Sequence, residues 1–174
     1  LPELVERASA YGTFGVANRN APGQTVVSGE RAAIEASAEI ARELGARKAI
    51  VLPVSVAAHS PLMAGAADGL RRVLADVPFR DPVLPLLANA DARPITTAEG
   101  ARAELVEHLT AGVDWVAAVE RMTAAGVTTF IEVGPGRVLT GLIKRIAPDA
   151  EAIPLDDPSS PDRLAVPFAA AATA

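Results

Sequence analysis

Residues 128–147 read Thr128-Thr-Phe-Ile-Glu-Val-Gly-Pro-Gly-Arg-Val-Leu-Thr-Gly-Leu-Ile-Lys-Arg-Ile-Ala147. The first six alternate and are rich in β-branched and aromatic residues, the pattern of a strand. Gly134-Pro-Gly136 forces a sharp turn, and Val138–Ala147 resumes helical spacing. A strand that turns directly into a helix is the repeating unit of an α/β fold. In such folds ligands bind where strands give way to helices.

The same grammar recurs on the N-terminal side of this stretch. Lys48-Ala-Ile-Val-Leu52 is a short apolar run that fits a buried strand, and Pro53 to Pro61 reads as a loop. Leu62, Met63, Ala66, Leu70, Val73, Leu74 and Val77 then trace one helical face up to Pro78. Val83–Ala88 reads as another buried strand. Thr97 caps a helix over Ala98–Leu109, Gly112 breaks it, and a second helix begins at Val113 and ends at Gly126. The alternation predicts an α/β sheet, mostly parallel.

Nearer the start, residues 3–11 are helical in spacing. Thr13–Asn18 and Thr25–Gly29 are strands joined by the four-residue turn Asn20-Ala-Pro-Gly23, and a helix runs from Glu30 to Leu44. Helix, hairpin, helix and strand in that order make most of a split βαβ ferredoxin-like unit without its first strand. The chain begins in mid-pattern and without Met, so its natural start is expected to lie upstream. From Pro154 onward the sequence lacks a period and reads as a Pro/Ala-rich tail, 154–174.

Composition excludes several classes of function. The 174 residues are 50% hydrophobic and 21% charged but only 3% aromatic, so the core is aliphatic. Sixteen Lys and Arg against 21 Asp and Glu give a net charge of −5 with no basic run, which argues against nucleic-acid or anionic-membrane partners. With no Cys and two His, thiolate catalysis and cysteine metal sites are excluded, and no metal or cofactor is expected. There is no apolar stretch long enough for a membrane span and no signal peptide at the start, so a cytoplasmic location is expected.

The candidate chemistry centres on His59, in Val56-Ala-Ala-His-Ser-Pro-Leu-Met63 at the mouth of the strongest helix. An α/β protein exposes catalytic side chains there. A loop histidine that merely caps the helix fits the same position. Asn18, Asn20 and Gln24 around Pro22-Gly23 fit either a binding role or the turn itself. Ser60 could be proposed as a nucleophile, but Ser-Pro more simply starts the helix.

Three motifs carry a resemblance that composition does not. They are Ala17-Asn-Arg-Asn-Ala-Pro-Gly-Gln-Thr-Val-Val-Ser-Gly29, Val54-Ser-Val-Ala-Ala-His-Ser-Pro-Leu-Met63 and Phe130-Ile-Glu-Val-Gly-Pro-Gly-Arg-Val-Leu-Thr-Gly-Leu-Ile-Lys-Arg145. In order and spacing they resemble the second half of the malonyl-CoA:acyl-carrier-protein transacylases. The resemblance implies the second half of an α/β-hydrolase-like acyltransferase core with part of an inserted ferredoxin-like subdomain. Residues 1–53 would be the partial small subdomain, its first strand missing, and 54–153 the C-terminal part of the large one.

It further implies ping-pong malonyl transfer in fatty-acid biosynthesis, from malonyl-CoA to the phosphopantetheine thiol of acyl-carrier protein, by a serine nucleophile and a histidine base. His59 matches the catalytic histidine. Histidine suits the task because imidazole both accepts and returns a proton near neutral pH. Asn20 matches the second asparagine of the family's Asn-x-Asn motif, beside the acyl pocket. His108, in Glu107-His-Leu-Thr-Ala-Gly-Val-Asp-Trp115, stands where the family usually has glutamine, whose main-chain carbonyl orients the catalytic histidine. The side chain can change there because every residue supplies a C=O. Gly134-Pro-Gly136 matches the family's scaffold turn.

None of Ser9, Ser28, Ser37, Ser55, Ser60, Ser159 and Ser160 lies in Gly-x-Ser-x-Gly, so the nucleophile is absent from this sequence. A complementary N-terminal half would supply it, and the chain alone is expected to be inactive. The residues leave open malonyl against another extender acid and a fatty-acid against a polyketide pathway. They also leave open a non-catalytic remnant that binds acyl-carrier protein.

Overall fold

The computed structural model describes residues 1–156. The chain divides into two compact units, Leu1–Ala118 and a second that begins at Val119. The expected alternation of strands and helices is present. The single, mostly parallel sheet is not found among the described residues, whose strands form three small sheets.

The first unit opens with α1 (Pro2–Ser9), the hairpin β1 (Phe14–Ala21) and β2 (Gln24–Gly29), and α2 (Arg31–Glu43). The hairpin is tighter than expected. Ala21 pairs with Gln24, so Pro22-Gly23 alone make the turn and Asn20 lies within β1. A proline sets φ for the first turn position and a glycine supplies the positive φ of the second, so two residues suffice. Scarcity of aromatics is answered by close helix approach: Ala8, Phe14, Ala33 and Ile40 form a buried cluster, ringed by Leu4, Val5, Val27, Ile34 and Ala36. An exposed Arg7–Glu43 ion pair ties α1 to α2.

Two expected strands fare differently. Lys48–Leu52 forms none: Ile50, Val51 and Leu52 are 61%, 55% and 51% exposed. An extended run becomes a strand only when a neighbouring strand takes its N–H and C=O groups, and no described strand pairs with it here. Of Val83–Ala88 only β3 (Leu86–Leu87) pairs, antiparallel to β4 (Pro94–Ile95), while Val83 is 97% exposed.

The helix expected from Leu62 starts with a 3-10 turn, Pro61–Met63, and continues as α3 (Ala64–Ala75). Ala67 and Leu74 on α3 pack with Val106 on α4 (Ala98–Glu107), flanked by Leu70, Phe79 and Leu109. Thr97 caps α4 as expected, its Oγ1 accepting from the Gly100 N–H at 3.0 Å. The helix stops two residues early, at Glu107. The segment read as helical from Val113 begins with β5 (Val113–Asp114), parallel to β1 through Asn18↔Val113 and Arg19↔Asp114, before α5 (Trp115–Ala124).

The second unit is a strand–helix–strand module of β6 (Thr129–Val133), α6 (Val138–Ile146) and β7 (Glu151–Leu155). Strands β6 and β7 are parallel, in register from Thr129↔Glu151 to Val133↔Leu155. Phe130, Thr140, Leu142, Ile143 and Ile153 are buried. Strand β7 takes in Pro154 and Leu155, which the sequence reading assigned to the tail. A two-stranded sheet has only edge strands, where proline is admissible. The rest of the tail, 157–174, lies outside the described residues.

Candidate active site

His59 lies in the loop ahead of the 3-10 turn, with a left-handed backbone at φ +58°. Its N–H donates to the Leu109 carbonyl at 3.1 Å. Its Nδ1 lies 2.7 Å from the His108 carbonyl oxygen and 3.2 Å from that of Ala111. A carbonyl oxygen only accepts, so Nδ1 carries a proton. In the neutral ring Nε2 then keeps its lone pair. Three main-chain carbonyls from residues 108–111 therefore fix both the backbone and the tautomer of His59.

The segment that supplies those carbonyls is itself tied on every side. His108 closes α4, its N–H bonded to the Glu104 carbonyl at 2.9 Å. Gly112 runs beneath β1, where a Cβ would come within 2.8 Å of the Val16 carbonyl oxygen, so no larger residue fits without displacing backbone. The Asp114 N–H donates to the Asn89 carbonyl at 2.7 Å. The Asp114 carboxylate accepts from the Ala117 N–H at 3.0 Å, capping α5, and from Arg19 on β1 at 2.5 Å.

Loop 89–93 is held by Glu104, which is 6% exposed. One oxygen accepts from the Asn89 N–H at 2.7 Å, and the other lies 3.4 Å from Arg93 Nη2, ion-pair range without hydrogen-bond geometry. Arg93 also pairs with Glu107 at 2.8 Å and Asp91 at 3.2 Å.

The structure thus brings His59 and His108 together, ring centroids 5.1 Å apart. Asn20 stands on β1, one residue past the Arg19–Asp114 pair, and is half-buried. A cavity of about 140 Å³ lies along the same strand pair, lined by Val16, Arg19, Ala90, Gly112, Val113 and Asp114. Ser60, 1% exposed, is a loop staple: its hydroxyl donates to the Ala57 carbonyl at 2.7 Å and accepts from the Leu62 N–H at 3.3 Å. Among the described residues no three His, Asp or Glu are grouped to hold a metal ion. No described helix is long and apolar enough to cross a membrane.

Sequence reasoning missed Glu104, Gly112 as a close-approach glycine, and Asp114. Gly112, set between a helix end and Val113-Asp114, was the one visible signal. It also missed Glu132 in the second unit. That carboxylate accepts from the N–H groups of Leu139 at 2.9 Å and Thr140 at 2.7 Å, and from Thr140 Oγ1 at 2.6 Å, anchoring the start of α6. Burial pushes the Glu132 carboxyl up. The bonds from Thr140 Oγ1 and from the Thr140, Leu139 and Val138 N–H groups more than reverse this, leaving it below the ordinary glutamate value.

The chain is thus an α/β protein that presents a histidine, its Nδ1 held by carbonyls, from the loop ahead of a helix. Residues 5–156 match the acyl transferase domain, and the chain belongs to that family. It is 41% identical over 160 residues to the malonyl CoA-acyl carrier protein transacylase of Escherichia coli (strain K12), covering 92% of this chain and 52% of that one. An acyl carrier protein S-malonyltransferase from Vibrio cholerae superposes with a TM-score of 0.90 at 38% identity, covering 93% of this chain and 53% of that one. A malonyl-transacylase solved in complex with a type II PKS acyl-carrier protein superposes at 0.87, with 38% identity over 91% of this chain and 51% of that one. The chain spans about half the length of the curated relatives it matches.

Proposed function

We propose that this chain is the histidine half of a malonyl-CoA:acyl-carrier-protein transacylase of fatty-acid synthesis. The observation that carries the reading is the bond of His59 Nδ1 to the His108 carbonyl, which leaves Nε2 as the proton acceptor. A serine supplied by a complementary N-terminal half attacks the malonyl-CoA thioester while Nε2 takes its proton. The intermediate collapses, the CoA sulfur leaves with that proton, and a malonyl-serine ester remains. The phosphopantetheine thiol of acyl-carrier protein then gives its proton to Nε2 and attacks the ester. Nε2 returns the proton to the departing serine. Carbonyl acceptors on Nδ1–H suit both halves of the cycle, because they hold the ring through neutral and protonated states alike.

In this reading residues 1–53 belong to the smaller, ferredoxin-like subdomain and 54–153 to the larger one, with Asn20 lining the acyl pocket. The chemistry asks for no metal or cofactor, since the acyl group arrives already activated as a thioester. A polyketide pathway is the second reading, favoured by the likeness to a transacylase solved with a type II PKS acyl-carrier protein.

The test is intact mass after incubation with malonyl-CoA. The expected result is no labelling of this chain alone, labelling of the serine-bearing half in a mixture, and labelling slowed about 10²- to 10⁴-fold by His59→Ala. Label on this chain alone, or none in the mixture, would overturn the reading. Transfer from the labelled mixture to a fatty-acid or a polyketide carrier protein separates the two pathways.

A further inference from the structure

We propose that the His108 side chain is a positioning residue for His59, setting the plane of its ring. The inference rests on the general-base reading above and adds a second role to a residue whose carbonyl already fixes the tautomer. The two imidazoles are tilted by 56° with centroids 5.1 Å apart, within the contact range of an aromatic pair. Both residues are half-buried.

The contacts of Nδ1 with the His108 and Ala111 carbonyls decide which nitrogen carries the proton and anchor one edge of the ring. They leave the far edge, which carries Nε2, without a hydrogen bond of its own to hold it among the described residues. The His108 ring, tilted against that of His59, closes that remaining freedom. It can do so because its own backbone is rigid: His108 sits at φ −63°, ψ −16° at the end of α4, with its N–H bonded into the helix. One residue thus constrains the base twice, by its main chain for proton placement and by its side chain for aim.

Proton transfer needs Nε2 within hydrogen-bond reach of the reacting hydroxyl, and a misplacement of about 1 Å costs up to about 10²-fold in rate. The role asks for a flat ring and not for a second titrating group. A phenylalanine should therefore serve at position 108, whereas glutamine and alanine should not.

The experiment uses the isolated chain labelled with ¹⁵N and ¹³C in histidine. With two histidines in the sequence, every His108 variant leaves a single ring signal, that of His59. Wild type, His108→Phe, His108→Gln and His108→Ala should all keep the Nδ1–H signature, because the carbonyl is unchanged. Ring relaxation should show His59 ordered in wild type and His108→Phe and mobile in the other two. In the mixture with a serine-bearing half, kcat should fall about tenfold for Gln and Ala at unchanged KM, and Phe should recover most of the loss.

Equal ring order in all four chains, or a Phe variant as mobile as Ala, overturns the proposal. Should His108→Ala fail to fold, the Gln and Phe comparison decides. The spectra need no turnover. An ordered ring in a mixture that never transfers malonate therefore sinks the functional reading alone, and equal ring order in an active mixture sinks this one alone.

Discussion

His59 occupies left-handed backbone although it has a Cβ, a conformation that costs about 1–2 kcal/mol for an ordinary residue. The bonds to residues 108, 109 and 111 hold it there, so the strain and the clamp belong together. Gly112 guards the clamp from behind. Gly112→Ala should push the segment away from β1, cost about 1–3 kcal/mol in chemical denaturation and broaden the His59 Nδ1–H signal. A fully stable variant with a sharp signal would show that β1 yields instead. Glu132 gives the second unit an acid sensitivity. Its folded pKa is depressed, so its stabilisation is complete above the ordinary value of about 4.3 and is lost as pH falls through the lower folded value. Thermal melts between pH 6 and 3 should show a drop that Glu132→Gln, already without the charge, flattens.

At the scale of elements, α4 matters more for its ends than for its length. Thr97 caps its start and His108, at its close, presents the orienting carbonyl. Thr97→Ala should cost about 1 kcal/mol in denaturant unfolding, leaving m unchanged. Helices were the readable part of this sequence, because caps and apolar spacing are local: α2, α4 and α6 fall within a few residues of their expected limits. Strands were less readable. The two residues of β5 carry no pattern, and they form only because Asn18 and Arg19 pair with them. Lys48–Leu52 has the right pattern and forms nothing, because a pattern does not supply a neighbour.

The site was legible in the same uneven way. His59 and His108 stood out by residue type and motif, and their distance in the chain hid nothing. The carbonyls of Leu109 and Ala111 could not be read, since a main-chain acceptor leaves no mark in a sequence.

For the molecule as a whole, Ile50, Val51, Leu52, Val54 and Val56 together expose more apolar surface than isolated surface residues account for. The isolated chain should bind an apolar dye and self-associate in sedimentation at micromolar concentration, and Val51→Lys with Val54→Lys should weaken both. A dye-silent monomer would contradict this.

The placement of the proton on the His59 ring is written in the polypeptide's repeating part and not in its variable part. Substitutions at Leu109 or Ala111 change what projects from the loop and leave the acceptor atoms in place. Lineages of this fold can therefore redraw the rim of the loop freely while inheriting the same imidazole. What they cannot drift through is the path of the chain, so the intolerant changes there are a proline that redirects it or a side chain at Gly112 that lifts it.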